Sequence, residues 1–337
     1  MLNSVELDNF GPLQQIRWGK LSNINLIIGA NSSGKTFLLK ALYCSMRTLE
    51  EYQRGNDQRS AAEILADKLY WTFQADKIGD LVTKNADRPL ACKINVDARE
   101  FRYSFGRDTA KHIASLENHV SPRESNSVFL PPKEVLSLQN IILKSRDVDK
   151  EFGFDDTYYD LAKALRMAPT RGKNHAHFAK ARESLEDMFD GKVEFDSKSN
   201  RWQFKKGNQK FPIGATAEGV KKIAILDTLL GNRYLSKDSV VFIDEPESAL
   251  HPVAISRLID IIVSLASSGI QFFIASHSYF VVKALYIAAQ KQQMSVPVLS
   301  FVQKDWEAGD LLSGMPANPI IDESIRLYEK EVELTLG

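Results

Sequence analysis

The sequence predicts an α/β fold built on a mostly parallel central sheet, with antiparallel strands at its start and a helical and hairpin segment inserted in its middle. Three observations carry this. Short apolar runs that suit buried strands stand near both ends of the chain, at Asn23–Ile28, Val240–Ile243 and Gln271–Ala275. Amphipathic helical patterns alternate with them. Between residues 133 and 212 that alternation gives way to helices and a second hairpin.

Taken in order, Leu2, Val5 and Leu7 suggest a first strand, the Phe10-Gly11-Pro12 turn follows, and Ile16 and Trp18 suggest a second. A helix is expected from about Lys35 to Leu49, with Leu38, Leu42, Met46 and Leu49 on one stripe. Residues 50–90 read as polar and mostly helical. Cys92, Ile94 and Val96 alternate, as do Phe101, Tyr103 and Phe105, so a hairpin turning at Asp97-Ala98 is expected. Val128–Leu130 is a short strand ended by Pro131-Pro132. Residues 133–190 read as helical, and a second hairpin sets Val193 and Phe195 against Trp202 and Phe204 across Ser197–Asn200. Val220, Ile223, Ala224 and Leu230 share one helix face. Ile255, Leu258, Ile259, Ile262 and Leu265 share another, opened by Pro252 in its first turn. A last strand over Val296–Val302 and a helix over Ile320–Leu334 complete the reading. The organisation that follows is an N-terminal part over 1–132, an inserted lid over 133–213, a C-terminal part over 214–305 and a C-terminal helix over 306–337.

Composition excludes several function classes. Lys+Arg and Asp+Glu are equal at 43 each, which argues against a protein that coats nucleic acid by overall charge. The two cysteines, Cys44 and Cys92, form no metal or disulfide pattern and suit a reducing cytosol, so the expected location is cytoplasmic. No apolar run approaches the ~20 residues that span a bilayer, so no membrane role is expected.

Gly29-Ala30-Asn31-Ser32-Ser33-Gly34-Lys35-Thr36 matches the phosphate-loop pattern at every fixed position, between a buried strand and an amphipathic helix. The glycines let backbone N–H groups turn around phosphate oxygens, and the helix N-terminus favours negative charge. Lys35 is placed for the β- and γ-phosphates and Thr36 for Mg²⁺. Val240-Val241-Phe242-Ile243-Asp244-Glu245 brings two carboxylates to the carboxyl end of a buried strand, where open α/β sheets bind ligands. There Asp244 suits Mg²⁺ and Glu245 suits an attacking water. Six basic residues and no acid lie between 161 and 182: Lys163, Arg166, Arg171, Lys173, Lys180 and Arg182, with His175 and His177 among them. This stretch reads either as a docking surface for nucleic acid or an acidic partner, extended by Lys205, Lys206 and Lys210, or as a solvated face balanced by Asp155, Asp156 and Asp160.

Asp244-Glu245-Pro246-Glu247-Ser248-Ala249-Leu250-His251-Pro252 resembles the Walker B strand and D-loop of ABC ATPases, in the variant of the RecF-like, SMC-like and OLD-family proteins. The resemblance covers 1–49 and 214–303. It implies an ABC ATPase head with a mixed central sheet, binding ATP and Mg²⁺ and hydrolysing ATP between two copies joined head to tail. It further implies that His277 is a switch histidine, that Gln74 is the glutamine of a magnesium-sensing loop, and that Thr216-Ala217-Glu218-Gly219-Val220-Lys221-Lys222 stands for the signature motif. Thr216, Gly219 and Ser248 would then face the nucleotide of the partner copy. The signature departs from LSGGQ, with only Gly219 aligning and Ala217 in place of serine. The short form is similar to prokaryotic ATPases that control a separate nuclease or toxin in anti-phage defence; the second reading is a DNA-binding clamp or repair ATPase. A P-loop GTPase is disfavoured, because Thr83-Lys84-Asn85-Ala86-Asp87 does not fit the guanine-reading pattern.

Overall fold

A computed structural model describes residues 1–168 and 176–336. Arg171, Lys173 and His175 of the basic stretch lie outside the described residues. Three sheets organise the chain. In the first, β1 (Leu2–Phe10), β2 (Leu13–Trp18), β4 (Leu90–Val96), β5 (Arg99–Phe105) and β6 (Ser115–Asn118) run antiparallel in the order β2-β1-β4-β5-β6. The central sheet has the order β14-β13-β3-β12-β11-β7. Its members are β3 (Ile24–Ile28), β7 (Val128–Leu130), β11 (Val240–Asp244), β12 (Gln271–Ser276), β13 (Pro297–Val302) and β14 (Asp305–Asp310). All pairings are parallel except β13 with β14, so the sheet is mixed. A small sheet of β8 (Lys192–Asp196), β9 (Arg201–Lys206) and β10 (Gln209–Pro212) belongs to the inserted segment. Its register pairs Val193 with Phe204 and Phe195 with Trp202, as expected.

Side chains alternate across a strand, so each buried strand of the central sheet serves two cores. Ile24, Leu26, Ile28, Val241, Ile243, Phe272 and Ile274 join one, with α6 (Glu218–Gly231), α7 (Pro252–Ser267) and α8 (Tyr279–Gln292). Ile27, Val240, Phe242, Phe273 and Ala275 join the other, where α1 (Lys35–Glu51) lies between the central sheet and the antiparallel one. Burial of each such phenylalanine stabilises the fold by about 1.5–3 kcal/mol relative to exposure.

The inserted segment carries α3 (Gln139–Lys144), α4 (Asp156–Leu165) and α5 (Ala176–Asp187) and shares the first core through Leu161, Leu165, Phe178 and Leu185. It is also tied to α1 by charge. Tyr43 Oη donates to Asp160 Oδ2 at 2.8 Å, and Lys68 Nζ of α2 (Ala61–Phe73) donates to the same oxygen at 2.9 Å. Burial opposes ionisation of Asp160, but Lys68 and Arg47 hold its carboxyl down at about 2. Asp155, Asp156 and Asp160 thus serve Lys40, Lys68, Arg47 and Arg146 rather than the described basic residues of the 161–182 stretch.

Three strands and part of one helical expectation differ from the sequence reading. Residues 50–90 hold the end of α1, one 13-residue helix and a 3-10 turn at Ile78–Leu81, the remainder being loop and the start of β4. Residues 305–310, read as leading into a helical tail, instead form β14, and α9 (Pro319–Leu336) begins later. β6 and β10 were also not expected. All three strands are exposed edges without an apolar run, held by backbone pairing. Among the described residues, no helix is long and apolar enough to cross a membrane.

Candidate functional site

The two ends of the chain meet where β3, β12 and β11 lie side by side. The loop after β3 opens into α1, and Gly34 caps that helix with φ +99°, a conformation glycine takes without steric penalty. Asp244 shares strand parity with Phe242, so its side chain faces α1. Thr36 Oγ1 donates to Asp244 Oδ2 at 2.7 Å. Asp244 is 1% exposed, and burial raises its pKa above the ordinary carboxylate value, with Thr36 and Lys35 opposing.

Lys35 is buried and donates to the Gly29 and Ala30 carbonyls at 2.8 and 2.9 Å. Burial lowers its pKa, against the pull of Asp244, Glu245 and Glu247. Asn31, Ser32, Ser33, Gly34, Lys35 and Thr36 line a cavity of about 550 Å³ together with Gln74 and Glu245. Gln74 reaches it as the left-handed C-cap of α2. The cavity also receives Phe37, Lys40, Phe73 and Asp155. Asp155 caps α4, accepting from the Thr157 N–H, and takes a 2.6 Å ion pair from Lys40.

Glu245 ends the strand differently from Asp244. Its N–H still donates to the Ala275 carbonyl, but its φ is +50°. A non-glycine residue in that region costs about 1–3 kcal/mol and persists only where neighbours hold it. His277 Nδ1 lies 3.3 Å from Glu245 Oε1 and 3.6 Å from Glu247 Oε1. Glu247 is the brace of this corner: its Oε1 accepts from Ser276 Oγ at 2.9 Å and from the His277 N–H at 3.1 Å. Lys222 Nζ donates to the Glu245 carbonyl, and burial lowers its pKa to about 8, with Glu247, Asp244 and Glu245 opposing.

The proposed signature residues stand elsewhere. Ser248 lines a second cavity of about 530 Å³, with Glu218, Lys221, Lys222 and Ala249. Gly219, in the first turn of α6, lies so close to the next loop that a Cβ there would meet the Ala249 carbonyl oxygen at 2.7 Å. Thr216 Oγ1 is turned to the Pro212 carbonyl at 3.4 Å. The structure therefore brings together the phosphate loop, Gln74, Asp244, Glu245 and His277; Ser248 adjoins them through its N–H, which donates to the Glu245 carbonyl at 3.0 Å, while Thr216 and Gly219 do not line the phosphate-loop cavity. In the basic stretch, Arg182 is committed inward, donating to both carboxylate oxygens of Asp227 at 2.7 and 3.3 Å. Sequence reasoning missed Glu247, Lys222 and Asp155. Glu247 lies within the quoted acidic motif and Lys222 ends the quoted signature stretch, but neither has a role there, and Asp155 enters only as a balancing charge.

The residues fit a magnesium nucleotide. Ser33 Oγ, Gln74 Nε2, Asp244 Oδ1 and Glu247 Oε2 are buried polar atoms with no hydrogen-bond partner, all at this site. Unsatisfied buried groups of this kind are rare and call for an explanation; donors beside the loop suit phosphate oxygens, and the carboxylate oxygen beside Thr36 suits a hard cation.

Comparisons with known proteins agree with this geometry. Residues 24–283 match the sequence family described as AAA domain, putative AbiEii toxin, Type IV TA system. No curated protein matches the sequence. Among solved structures, the chain is similar to an SmcHead bound to the C-winged helix domain of ScpA, with a TM-score of 0.55 and 14% identity over 92% of this chain and 97% of that one. It is also similar to an Smc head domain with an extended coiled coil, bound to the C-terminal domain of ScpA derived from Pyrococcus furiosus. There the TM-score is 0.50 and the identity 13%, over 98% of each chain. At these identities the likeness is one of fold, that of SMC head domains.

Proposed function

The chain belongs to the AAA-domain family described as putative AbiEii toxin of a type IV TA system, and on that premise we propose that it is an ATP-hydrolysing switch that closes on a second copy of itself and controls a separate effector. The effector would be a nuclease or toxin, acting in cytoplasmic defence against phage. The observation that carries this reading is the division of the site into two cavities. The phosphate-loop cavity is lined by Lys35, Thr36, Glu245 and Gln74, while Ser248 lines another together with Glu218, the neighbour of Gly219. A head whose signature residues do not face its own nucleotide can use them on a neighbour's. Ala217 offers no hydroxyl there, so N–H groups at the start of α6 carry the phosphate contact.

Within one head, Lys35 neutralises phosphate charge, and Thr36 and Asp244 offer two oxygen ligands to magnesium. Among the described residues, no group of three or more His, Cys, Asp or Glu side chains could hold a metal ion. Phosphate oxygens and water would supply the remaining ligands, as is usual for this ion. Bound magnesium would supply charge neutralisation at the phosphates. Glu245 orients the attacking water and accepts its proton, His277 beside it responds to the γ-phosphate, and Gln74 senses the magnesium side of the cavity. Docking of an effector protein is favoured over a DNA clamp by the zero formal charge of the chain and by the inward commitment of Arg182.

Native mass measurement of Glu245→Gln with ATP tests this. The variant should bind ATP, lose hydrolysis by about 100-fold or more, and accumulate a species of twice the chain mass. Hydrolysis at the native rate, or a strictly monomeric variant at saturating ATP, would contradict it.

A further inference from the structure

Lys222 is a buried ammonium at the end of the signature stretch, to which the resemblance gives no role. It lies one helical turn beyond Gly219 on α6 and is 9% exposed. Its neighbour Lys221 is paired twice, with Glu134 and Glu218, whereas among the described residues Lys222 forms no ion pair. Its Nζ donates instead to the main-chain carbonyl of Glu245, which also accepts from the Ser248 N–H at 3.0 Å, with the Pro132 carbonyl 3.5 Å from the same Nζ. That choice of partner matters because Glu245 sits at φ +50°, outside the conformations a glutamate prefers. A side chain leaves the same Cα whose peptide the ammonium grips. Relaxation of that φ would turn the Cα and carry the carboxylate away from His277, 3.3 Å away.

We propose that Lys222 is a positioning residue for hydrolysis: it clamps the peptide after Glu245, holds the left-handed corner, and so aims the Glu245 carboxylate into the nucleotide cavity. The inference rests on the reading of Glu245 given above. Burial works against the ammonium here, and the attraction of Glu247, Asp244 and Glu245 offsets part of that cost. Pro132, the residue before the inserted segment, shares the ammonium, and α6 begins beside the second cavity that Lys222 also lines. The clamp therefore joins the N-terminal and C-terminal parts of the head at one ammonium, and a shift of α6 at the second cavity is passed to Glu245 of the same head.

The test compares Lys222→Met, which keeps the stem and removes donor and charge, with Lys222→Arg, which keeps both. Steady-state kinetics, affinity for a non-hydrolysable ATP analogue with magnesium, and thermal melting are measured for each. Lys222→Met should lower kcat by about 100-fold while KM and analogue affinity stay within about 2-fold, and Lys222→Arg should recover about 10-fold or more. In a Glu245→Gln background, Lys222→Met should lower the residual rate no further, since it acts through Glu245. Native kcat in Lys222→Met, a parallel loss of analogue affinity, or an additive double variant would each overturn the proposal. Should Lys222→Met lose its cooperative melt, Lys222→Gln, which keeps a neutral donor, decides by the same kcat and affinity criteria. The underlying reading fails separately: Glu245→Gln alone would then hydrolyse at the native rate, whatever Lys222 does.

Discussion

Thr36→Val replaces the hydroxyl beside Asp244 by a methyl group of similar size, and its cost can be worked from two atoms. Asp244 Oδ2 accepts one hydrogen bond, from Thr36 at 2.7 Å, and Oδ1 has no partner. The substitution leaves a carboxylate that is 1% exposed with no hydrogen bond from Thr36. Loss of a hydrogen bond to a charged group costs about 2 kcal/mol. For 337 residues melting at about 2.1 cal/mol/K per residue, that lowers the melting temperature by about 3 °C. A second effect appears with ligand. A magnesium nucleotide analogue at about 100 times its Kd stabilises the native protein by about 2.7 kcal/mol, or about 4 °C, and Thr36→Val should lose the magnesium-dependent part. Asp244→Asn separates the two effects. A carboxyl whose pKa is raised on folding contributes stability that is full below its ordinary value and lost as pH rises through the raised one. At neutral pH, Asp244→Asn should therefore melt at or above the native temperature without ligand, yet show no magnesium-dependent gain. Differential scanning fluorimetry with and without magnesium and analogue measures all three proteins. A Thr36→Val protein that keeps both its native melting temperature and its full magnesium response would refute the pairing of Thr36 and Asp244 at a metal site.

Two further outcomes concern the scaffold. Asp160→Asn weakens the buried charge cluster that ties α4 to α1 and α2. Lys68 and Tyr43 lose an ionised acceptor, so unfolding should become easier by about 3 kcal/mol, measured by urea denaturation; an unchanged midpoint would remove the cluster from the account of stability. Burial pushes both the Cys44 and Cys92 thiols up to about 12. A disulfide reagent at pH 8 should modify neither in the native protein and both in denaturant, and their contribution to stability should fall as pH rises above about 9. Rapid native labelling of either would place that residue outside the core.

The strands that position the site were legible because they are buried on both faces. β3, β11 and β12 are continuous apolar runs in which every residue is buried, apart from the polar Asn25, Asp244, Gln271 and Ser276, which have hydrogen-bonding tasks there. β14, with the sequence Asp305-Trp306-Glu307-Ala308-Gly309-Asp310, has no such pattern, since an edge strand is held by its backbone and leaves its side chains to solvent. The same contrast divides the site. The phosphate loop and the acidic strand tip have fixed local spacings because a phosphate group and a strand end impose them. Lys222 and Asp155 reach the site only through the packing of α6 and α4, whose placement depends on contacts far apart in sequence. A helix pattern identifies a buried face, but not which carbonyl a lysine on that face will meet.

The placement of two consecutive carboxylates in two different tasks follows from one backbone angle. Asp244 is the last residue of β11 in register with β12, opposite Ala275, and strand parity sends its side chain toward α1 and Thr36. Had the strand continued, Glu245 would point to the opposite face, into the core formed with α6 and α7, where an unpaired carboxylate is costly. The left-handed turn at Glu245 breaks the parity one residue after the metal-facing position and brings its carboxylate beside His277 instead. The site thus depends on the sheet being complete up to that residue: β11 must pair with β12, and β12 with β3, before Asp244 faces Thr36 at all. Those pairings join residues 24–28 to residues 271–276, so neither end of the chain can assemble the magnesium pair alone.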